Sequence, residues 1–403
     1  MGGNTMTKTN YWTTTKLGLS IMLVIILVVI TACGNNNNNN KATDTPAPST
    51  TSTDEKASTD ATGPGTGGKA VGFIFVGAKD DYGYNQAGYI GSEAVEKQFP
   101  DYKILRSENV PETAEAERVM EEMIRNGAKI IFPTSYGHLD PALNVAKRHP
   151  DVLFFHQGGL KTADNLGTYF GTIWEPVYLA GVAAGKMSKS GKLGYIVSIP
   201  IPQVLLNVNA FELGAKSVNP DATTTVVFTG SWCDPGQQAN AANSMIDQGI
   251  DVLSQHQDCT KTVIETAERR GIMSVGYHAD ASELAPKGWI VGSIWNWPAL
   301  FVDMVKVASE GEFAESKYAG QYRGTMAEDI VQLTGFGAEV PEDVKKLIEE
   351  KKAEMAAGTL HPFKGPIKDQ SGTVKVEDGI SPDITALESI DYLVEGVIGS
   401  IPK

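Results

Sequence analysis

Residues 71–77 read VGFIFVG, a six-residue apolar, β-prone run closed by a glycine. A run this short, with no polar alternation, reads as a strand buried on both faces, as in a parallel sheet covered by helices. The pattern then repeats outward. Helical periodicity over 87–98 leads to a strand at 102–107. A helix over 113–126 stops at Asn126-Gly127, and a strand at 129–132 runs into Pro133-Thr134-Ser135-Tyr136-Gly137. A helix over 140–148, strands at 152–156 and 165–170, and a small-residue helix over 176–188 close the series. Gly181 and Gly185 in that last helix suit close helix packing.

A second series begins at Lys192. Strands at 193–199, 224–229, 251–255, 273–277 and 289–293 alternate with helices over 204–217, 237–248, 260–270 and 298–310. The tail is less regular, with a strand-like 330–334, a charged helix over 342–357 and a turn at 362–366. Strands spaced by helices of these lengths imply parallel sheets with right-handed crossovers. The expected fold is therefore α/β, with two doubly wound parallel-sheet lobes around a cleft. Lobe 1 is assigned to 69–190 with part of 297–330, and lobe 2 to 191–296 with part of 331–403.

In open α/β sheets ligands bind at the carboxyl ends of the strands, which here border the cleft. Those loops carry Asp80, Asp81, Tyr82, Tyr84 and Asn85; Ser135 and Tyr136; His156 and Gln157; then Trp174 and Glu175. In the second series they carry Ser231, Trp232 and Asp234; His256, Gln257 and Asp258; His278 and Asp280; and Trp295, Asn296 and Trp297. Aromatics beside amides and carboxylates suit a flat, polar-edged, weakly charged ligand, whose faces stack and whose edges hydrogen-bond. A phosphorylated ligand calls for Arg or Lys, and these loops offer only Lys79.

The amino-terminal segment places the body. Residues 16–34 read KLGLSIMLVIILVVITACG, a lysine and an apolar stretch of signal h-region type rather than a comfortable span of about 20 residues. Small residues directly before Cys33 resemble the bacterial lipobox. The expectation is a lipoprotein signal peptide over 1–32 and lipid on Cys33, anchoring the chain at the outer face of the cytoplasmic membrane. That face is extracellular in a Gram-positive cell and periplasmic in a Gram-negative one. A transmembrane anchor is the other reading, and it too puts the body outside. Residues 33–68, with six consecutive asparagines at 35–40 and no large aliphatic or aromatic side chain, read as a disordered tether. Within it, Gly63–Lys69 imitates the start of a P-loop, but Ala70 follows the lysine and a strand follows the segment.

Composition excludes several classes. A formal net charge of −14 argues against nucleic acid. The six histidines are scattered and no CxxC or HExxH spacing occurs, so neither metal nor cofactor is expected. No G-x-S-x-G elbow or zinc-deaminase pattern is present, so an enzyme is not expected. Residues 1–68 hold no helix-turn-helix of a repressor. Cys233 and Cys259 follow two strands separated by one crossover helix, and an oxidising compartment permits a disulfide between them.

Six motifs in order complete the reading. They are the lipobox, Asp80-Asp81-x-x-Tyr84-Asn85-Gln86, Glu175-Pro-Val-Tyr178-Leu-Ala-Gly181, Lys192-Leu-Gly194-Tyr, Phe211-Glu-Leu-Gly214-Ala215 and Gly230-Ser-Trp232-x-Asp234. Together they resemble the basic membrane protein (BMP) family, lipoprotein substrate-binding components of ABC transporters that include purine nucleoside receptors. The resemblance implies a type I periplasmic-binding-protein-like fold, hinge closure on ligand, and ABC permease subunits as partners. It places the family's base-stacking aromatics on Tyr84 and Trp232. The family's acidic base contacts fall near Phe75 and near Gln157 or Gly158, its ribose-binding Asp near His278 and its ribose-binding Lys near Asn296. The stacking clamp is thus kept and the sugar contacts are lost, which implies an adenine-like purine base more than a nucleoside. A nucleoside receptor, or a sensor for a membrane kinase with no transport role, remains the alternative. The expected ligand contacts are Asp81, Tyr84, Asn85, Ser135, Tyr136, Trp174, Trp232, Gln257, Asp258, His278, Asp280, Trp295 and Asn296. Trp232 also reads as a core aromatic and Tyr84 as a lobe-surface residue. Asp258 and Asp280 also read as caps of the elements after them, and Glu175 as an anchor of the lobe crossover.

Overall fold

The computed structural model describes residues 61–402. The signal peptide, the lipid site at Cys33 and the tether up to residue 60 lie outside the described residues. Among the described residues no helix is long and apolar enough to cross a membrane.

Lobe 1 is built on β1 (Ala70–Ile74), β2 (Lys103–Ser107), β3 (Ile130–Pro133), β4 (Leu153–Gln157) and β5 (Leu166–Gly171), interleaved with α1 (Tyr84–Gln98), α2 (Ala114–Arg125) and α3 (Leu139–Arg148). The chain then crosses into α4 (Trp174–Met187) and lobe 2. There β6 (Lys192–Val197), α5 (Pro202–Lys216), β7 (Thr223–Phe228), α6 (Pro235–Asp247), β8 (Val252–His256), α7 (Lys261–Arg270), β9 (Met273–His278) and β10 (Trp289–Trp295) follow. It returns for α8 (Trp297–Ser309) and β11 (Gln321–Gly324), then crosses again to β12 (Val331–Leu333) and α9 (Glu342–Ala356). The tail adds a hairpin, β13 (Ile367–Lys368) and β14 (Val374–Val376), a turn of helix α10 (Ile384–Leu387) and β15 (Val397–Ile398). The lobe 1 sheet has the order β11-β5-β4-β3-β1-β2, and the lobe 2 sheet β12-β10-β9-β8-β6-β7-β15. Within these two sheets every pair is parallel except β10–β12. The apolar runs lie inside as their composition requires: all five residues of β1 are buried, with Phe73 stacked on Phe132 at 4.7 Å.

Helix α4 corrects the sequence-derived boundary. Assigned with lobe 1, it packs on α5 and β10 of lobe 2. The reason is its glycines. A Cβ on Gly181 would stand 2.2 Å from the Phe211 carbonyl oxygen, and one on Gly214 2.1 Å from that of Tyr178, so the two backbones meet where only hydrogen fits. Conversely, α8 packs against α1 of lobe 1. The tether expectation also ends too late. Gly65 is buried, donates its N–H to the Asp151 carbonyl at 3.1 Å and lies against Leu153 and Ala308, because a residue without a side chain can enter that contact.

The three crossovers brace one another. Thr172 donates its N–H to the Gly324 carbonyl at 2.8 Å, and Asn296 to that of Ile330 at 2.9 Å. Glu175 accepts the Met326 N–H at 2.8 Å, the anchoring role its motif position suggested. The tail ties into both lobes. Asn209 bonds the backbone of Tyr392 and Val394, β15 pairs with β7, and Glu388 forms a buried ion pair with Arg323 of β11.

One buried acid gives the fold a pH signature. Glu212 on α5 is fully buried, accepts from Thr224 Oγ1 at 2.6 Å, and has no partner for Oε1 among the described residues. Burial raises its carboxyl from the ordinary 4.5 to about 7, against the opposing pull of Thr224 and Lys216. Between those values the folded chain holds a proton the unfolded chain has lost, so stability falls as pH rises across that window, by about 3 kcal/mol. Glu212→Gln removes the penalty. Its melting temperature relative to the parent chain is expected to be higher at pH 8 than at pH 5, and a difference independent of pH would assign the titration to another group.

Candidate functional site

The carboxyl ends of the strands in both lobes converge on a narrow slot lined by Tyr84, Ser135, Tyr136 and Phe170 from lobe 1 and by Gln203, Trp232, His256, Asp258 and His278 from lobe 2. About 20 Å³ is open inside it, room for a water molecule and little more. A larger hollow of about 530 Å³ lies at the amino ends of β8 and β9, the end of a doubly wound sheet that does not carry ligand sites. Asp251 in that hollow is already committed to Ser188, Lys189 and Ser190.

Each wall has its own support. Tyr84 is the first residue of α1, donates its hydroxyl to the Thr134 carbonyl at 2.6 Å, and meets His278 edge-on at 5.0 Å. Ser135 donates to Glu112 Oε1 at 2.6 Å, and the Gly137 N–H reaches the same oxygen at 2.8 Å, so Glu112 holds the loop that presents Tyr136. The loops after β7 and β8 are joined. Cys233 and Cys259 form a disulfide with their Cα atoms 5.3 Å apart, and Asp258 donates its N–H to the Trp232 carbonyl at 2.8 Å. Trp232 and Asp258 are thereby fixed relative to each other.

The chemistry of the slot is acidic and uncharged-polar, with no Arg or Lys in its lining. Asp258 is buried, and among the described residues no donor reaches its carboxylate. Burial, then Asp81 and Glu112, push that carboxyl well up. Burial brings His256 down to about 3 and, together with His256 itself, drives His278 well below the usual imidazole range, so both rings are neutral at neutral pH. Asn207 holds His256 at Nδ1 (3.1 Å) and Trp295 holds His278 at Nδ1 (2.8 Å).

Seven of the expected contacts have other work. Asp81 Oδ1 accepts the N–H groups of Gly83 and Gln86 (2.8 and 3.0 Å), and Oδ2 accepts the backbone and side-chain N–H of Asn85 (3.0 and 2.7 Å). Both oxygens thus satisfy the orphan donors that open α1. Asn85 is buried and accepts the Gly77 N–H at 3.0 Å, pinning the same loop. Gln257, unlike Asp258, is turned away from the slot and bonds Gln238 and Thr229 inside lobe 2. Trp174 lies in the core at the crossover, where the chain has already left lobe 1, and borders a groove with Met355 and Phe363. Asp280 is exposed and accepts the Ser282 N–H at 2.9 Å, a turn role. Asn296 bonds Asp329 in the crossover. Trp295 stands behind His278, stacked on Trp297 at 4.7 Å.

Three lining residues were outside the expected set. Phe170 is a strand-end residue inside an apolar run and gave no polar signal. His256 closes β8 just before Asp258. Gln203 is the second residue of α5, in the first turn after the β6 loop. It donates to the Gly158 carbonyl across the cleft at 2.9 Å.

The cleft is closed by a backbone clasp. Tyr84 donates its N–H to the Asp258 carbonyl (3.3 Å), Thr260 its N–H to the Asp81 carbonyl (3.2 Å) and its hydroxyl to the Tyr82 carbonyl (2.6 Å), and the Tyr82 hydroxyl reaches Glu283 (2.9 Å).

Two α/β lobes joined by three crossovers, with a polar-aromatic slot at their strand ends, are the architecture of a type I solute-binding protein. The chain matches the family model of PnrA-like ABC transporter substrate-binding proteins (Bmp) over residues 69–359 and belongs to that family. Its work is to bind a substrate for an ABC transporter; it is not an enzyme. It is 40% identical over 334 residues to a purine-binding protein of Brucella abortus (strain 2308), covering 83% of this chain and 94% of that one. It is 30% identical over 347 residues to a Haloferax volcanii protein provisionally described as an ABC transporter glucose-binding protein, covering 86% and 85%. The solved solute-binding protein of an ABC transporter system from Aeropyrum pernix K1 superposes with a TM-score of 0.63 at 18% identity, over 79% of this chain and 95% of that one, which shows the shared fold.

The clasp leaves no room at Gly83, where a Cβ would stand 1.8 Å from the Asp258 carbonyl oxygen. Gly83→Ala is expected to keep the secondary structure, read by circular dichroism, and to hold the lobes apart, read as a larger radius of gyration in small-angle scattering. Scattering curves that coincide with the parent chain's would show that this contact does not set the closed form.

Proposed function

We propose that this chain is a lipid-anchored receptor that delivers a purine-type base, adenine-like rather than a nucleoside, to an ABC importer. The observation that carries the reading is the Asp258 carboxylate, buried and without a donor in a slot whose other walls are aromatic rings and neutral imidazoles. A buried carboxylate is stabilised by N–H donors that a guest brings. A purine base supplies them on its edge while its faces meet rings such as Tyr84 and Trp232. The narrowness of the slot supports a flat guest, which enters with the least parting of the lobes. The lack of Arg and Lys in the lining argues against a phosphate. The Brucella relative's name supports the purine class, and the lipobox at Cys33 supports the anchor. The lobes part at the crossovers, the ligand bridges them, and the contacts it adds in the closed form shift the population.

The first test is mass spectrometry of small molecules released on denaturing the purified full-length chain. Adenine or another free purine base is the expected finding. A nucleoside would restore the ribose contacts, and a hexose would remove the purine reading altogether. Trp232→Ala is expected to weaken binding of that base by about 1–3 kcal/mol, the worth of one base–aromatic stack, measured by calorimetry. Because N–H donors bind the ionised form of Asp258, whose carboxyl is raised, affinity is expected to increase with pH through its titration. Asp258→Asn should weaken binding by about 1.5–3 kcal/mol and flatten that slope; a slope that survives the substitution rules Asp258 out as its source.

A further inference from the structure

His278 carries two costs, one in its backbone and one in its ring. Its φ of +73° lies in the left-handed region, unusual for a side chain with a Cβ. Its Nε2 is buried and has no partner among the described residues. The other ring nitrogen is fully determined. Trp295 Nε1 meets Nδ1 at 2.8 Å, and an indole N–H can only donate. A nitrogen that accepts carries no proton, so the neutral imidazole bears its hydrogen on Nε2. The indole cannot swing away. It is stacked on Trp297 at 4.7 Å with 13° between planes, and Phe170 lies 4.6 Å from it on the slot side. His278 lines the slot, and Nε2–H is the one polar atom of its ring left without a partner among the described residues. Asp258 lines the same slot with the opposite polarity, an acceptor with no donor.

We propose that Trp295 is a positioning residue that fixes the tautomer of His278, so that the slot selects planar rings presenting an unprotonated nitrogen or a carbonyl oxygen to His278 and an N–H to Asp258. This rests on the purine reading above and adds to it which edge atoms the ligand must carry. A ring that brings an N–H to the His278 side sets two donors against each other and is rejected. A ring with C–H there leaves the buried imidazole N–H unsatisfied and binds weakly. Free histidine tautomerises; the indole removes that freedom, and with it the ability of the site to accept both kinds of ring.

The test uses the full-length chain with ¹⁵N-labelled histidine. Long-range ¹H–¹⁵N correlation is expected to show His278 with Nε2 protonated and Nδ1 bare, and Trp295→Phe, which keeps an aromatic ring and removes the donor, is expected to shift that pattern. Adenine and its 1-, 3- and 7-deaza analogues, each with one ring nitrogen replaced by C–H, are the binding probes. One analogue is expected to bind roughly tenfold or more weakly than adenine to the parent chain, the loss that follows from leaving a buried donor unpaired. That gap is expected to shrink in Trp295→Phe. A proton found on Nδ1 in the parent chain overturns the proposal, as does a Trp295→Phe protein with unchanged tautomer and unchanged discrimination. If no purine binds the parent chain, the purine reading fails, and the histidine spectrum alone decides the tautomer lock. The same parent spectrum decides it if the variant does not fold.

Discussion

The peptide unit of Asp258 is the point from which the rest of the site hangs. Its N–H donates to the Trp232 carbonyl, its carbonyl accepts the Tyr84 N–H across the cleft, and its side chain is left to the slot. Its chain neighbour Cys259 is bonded to Cys233, the chain neighbour of Trp232. One residue therefore sets the spacing of the aromatic and acidic walls and also joins the lobes. Closure and recognition cannot be separated in such a design, since parting the lobes breaks the contact that aligns the acid.

That coupling accompanies local expense. The buried, undonated carboxylate of Asp258, the left-handed backbone of His278 and its unpartnered Nε2 all lie on the slot. Away from it, several polar groups that could have been equally costly are paired, although Glu212 Oε1, the Tyr195 hydroxyl and both ring nitrogens of His156 are buried without partners among the described residues. Asp81 accepts four hydrogen bonds at the start of α1, Arg323 and Glu388 form a buried ion pair, and Glu175 takes the Met326 N–H in the crossover. What sets the slot apart is that its unpartnered groups border an opening between the lobes, where a bound guest can supply the missing partners.

The strands and helices were legible because each lobe repeats one unit, an apolar run followed by a 3.6-residue period. The elements that escaped are short and owe their form to pairing. β11 is QYRG and β15 only two residues, and neither has a pattern of its own until β5 and β7 supply the neighbour. The start of α1 was read three residues late, because Asp81 satisfies its first turn from outside the periodic stretch, and this put Tyr84 and Asn85 in a loop. At the site, listing polar residues after each strand found Tyr84, Ser135, Tyr136, Trp232, Asp258 and His278 on the slot. It could not tell them from Asn85 or Gln257, which stand beside them in sequence and turn inward. Facing is decided by a one-residue alternation that a loop does not advertise.

Trp295 shows the same limit from the other side. Its position after a strand marked it for ligand contact, and it stands one layer back, with its N–H spent on His278. An aromatic residue near a cleft contributes through whichever edge the backbone turns toward a partner. Here Trp297 stacks on the indole, Phe170 lies tilted against it, and the hydrogen bond takes its only polar atom. What reaches the slot is the consequence of that bond, a neutral imidazole with its proton directed to one nitrogen. The polarity of the His278 edge is set by a residue outside the slot lining, so specificity in this cleft is to be sought in the layer behind the lining as much as in the lining.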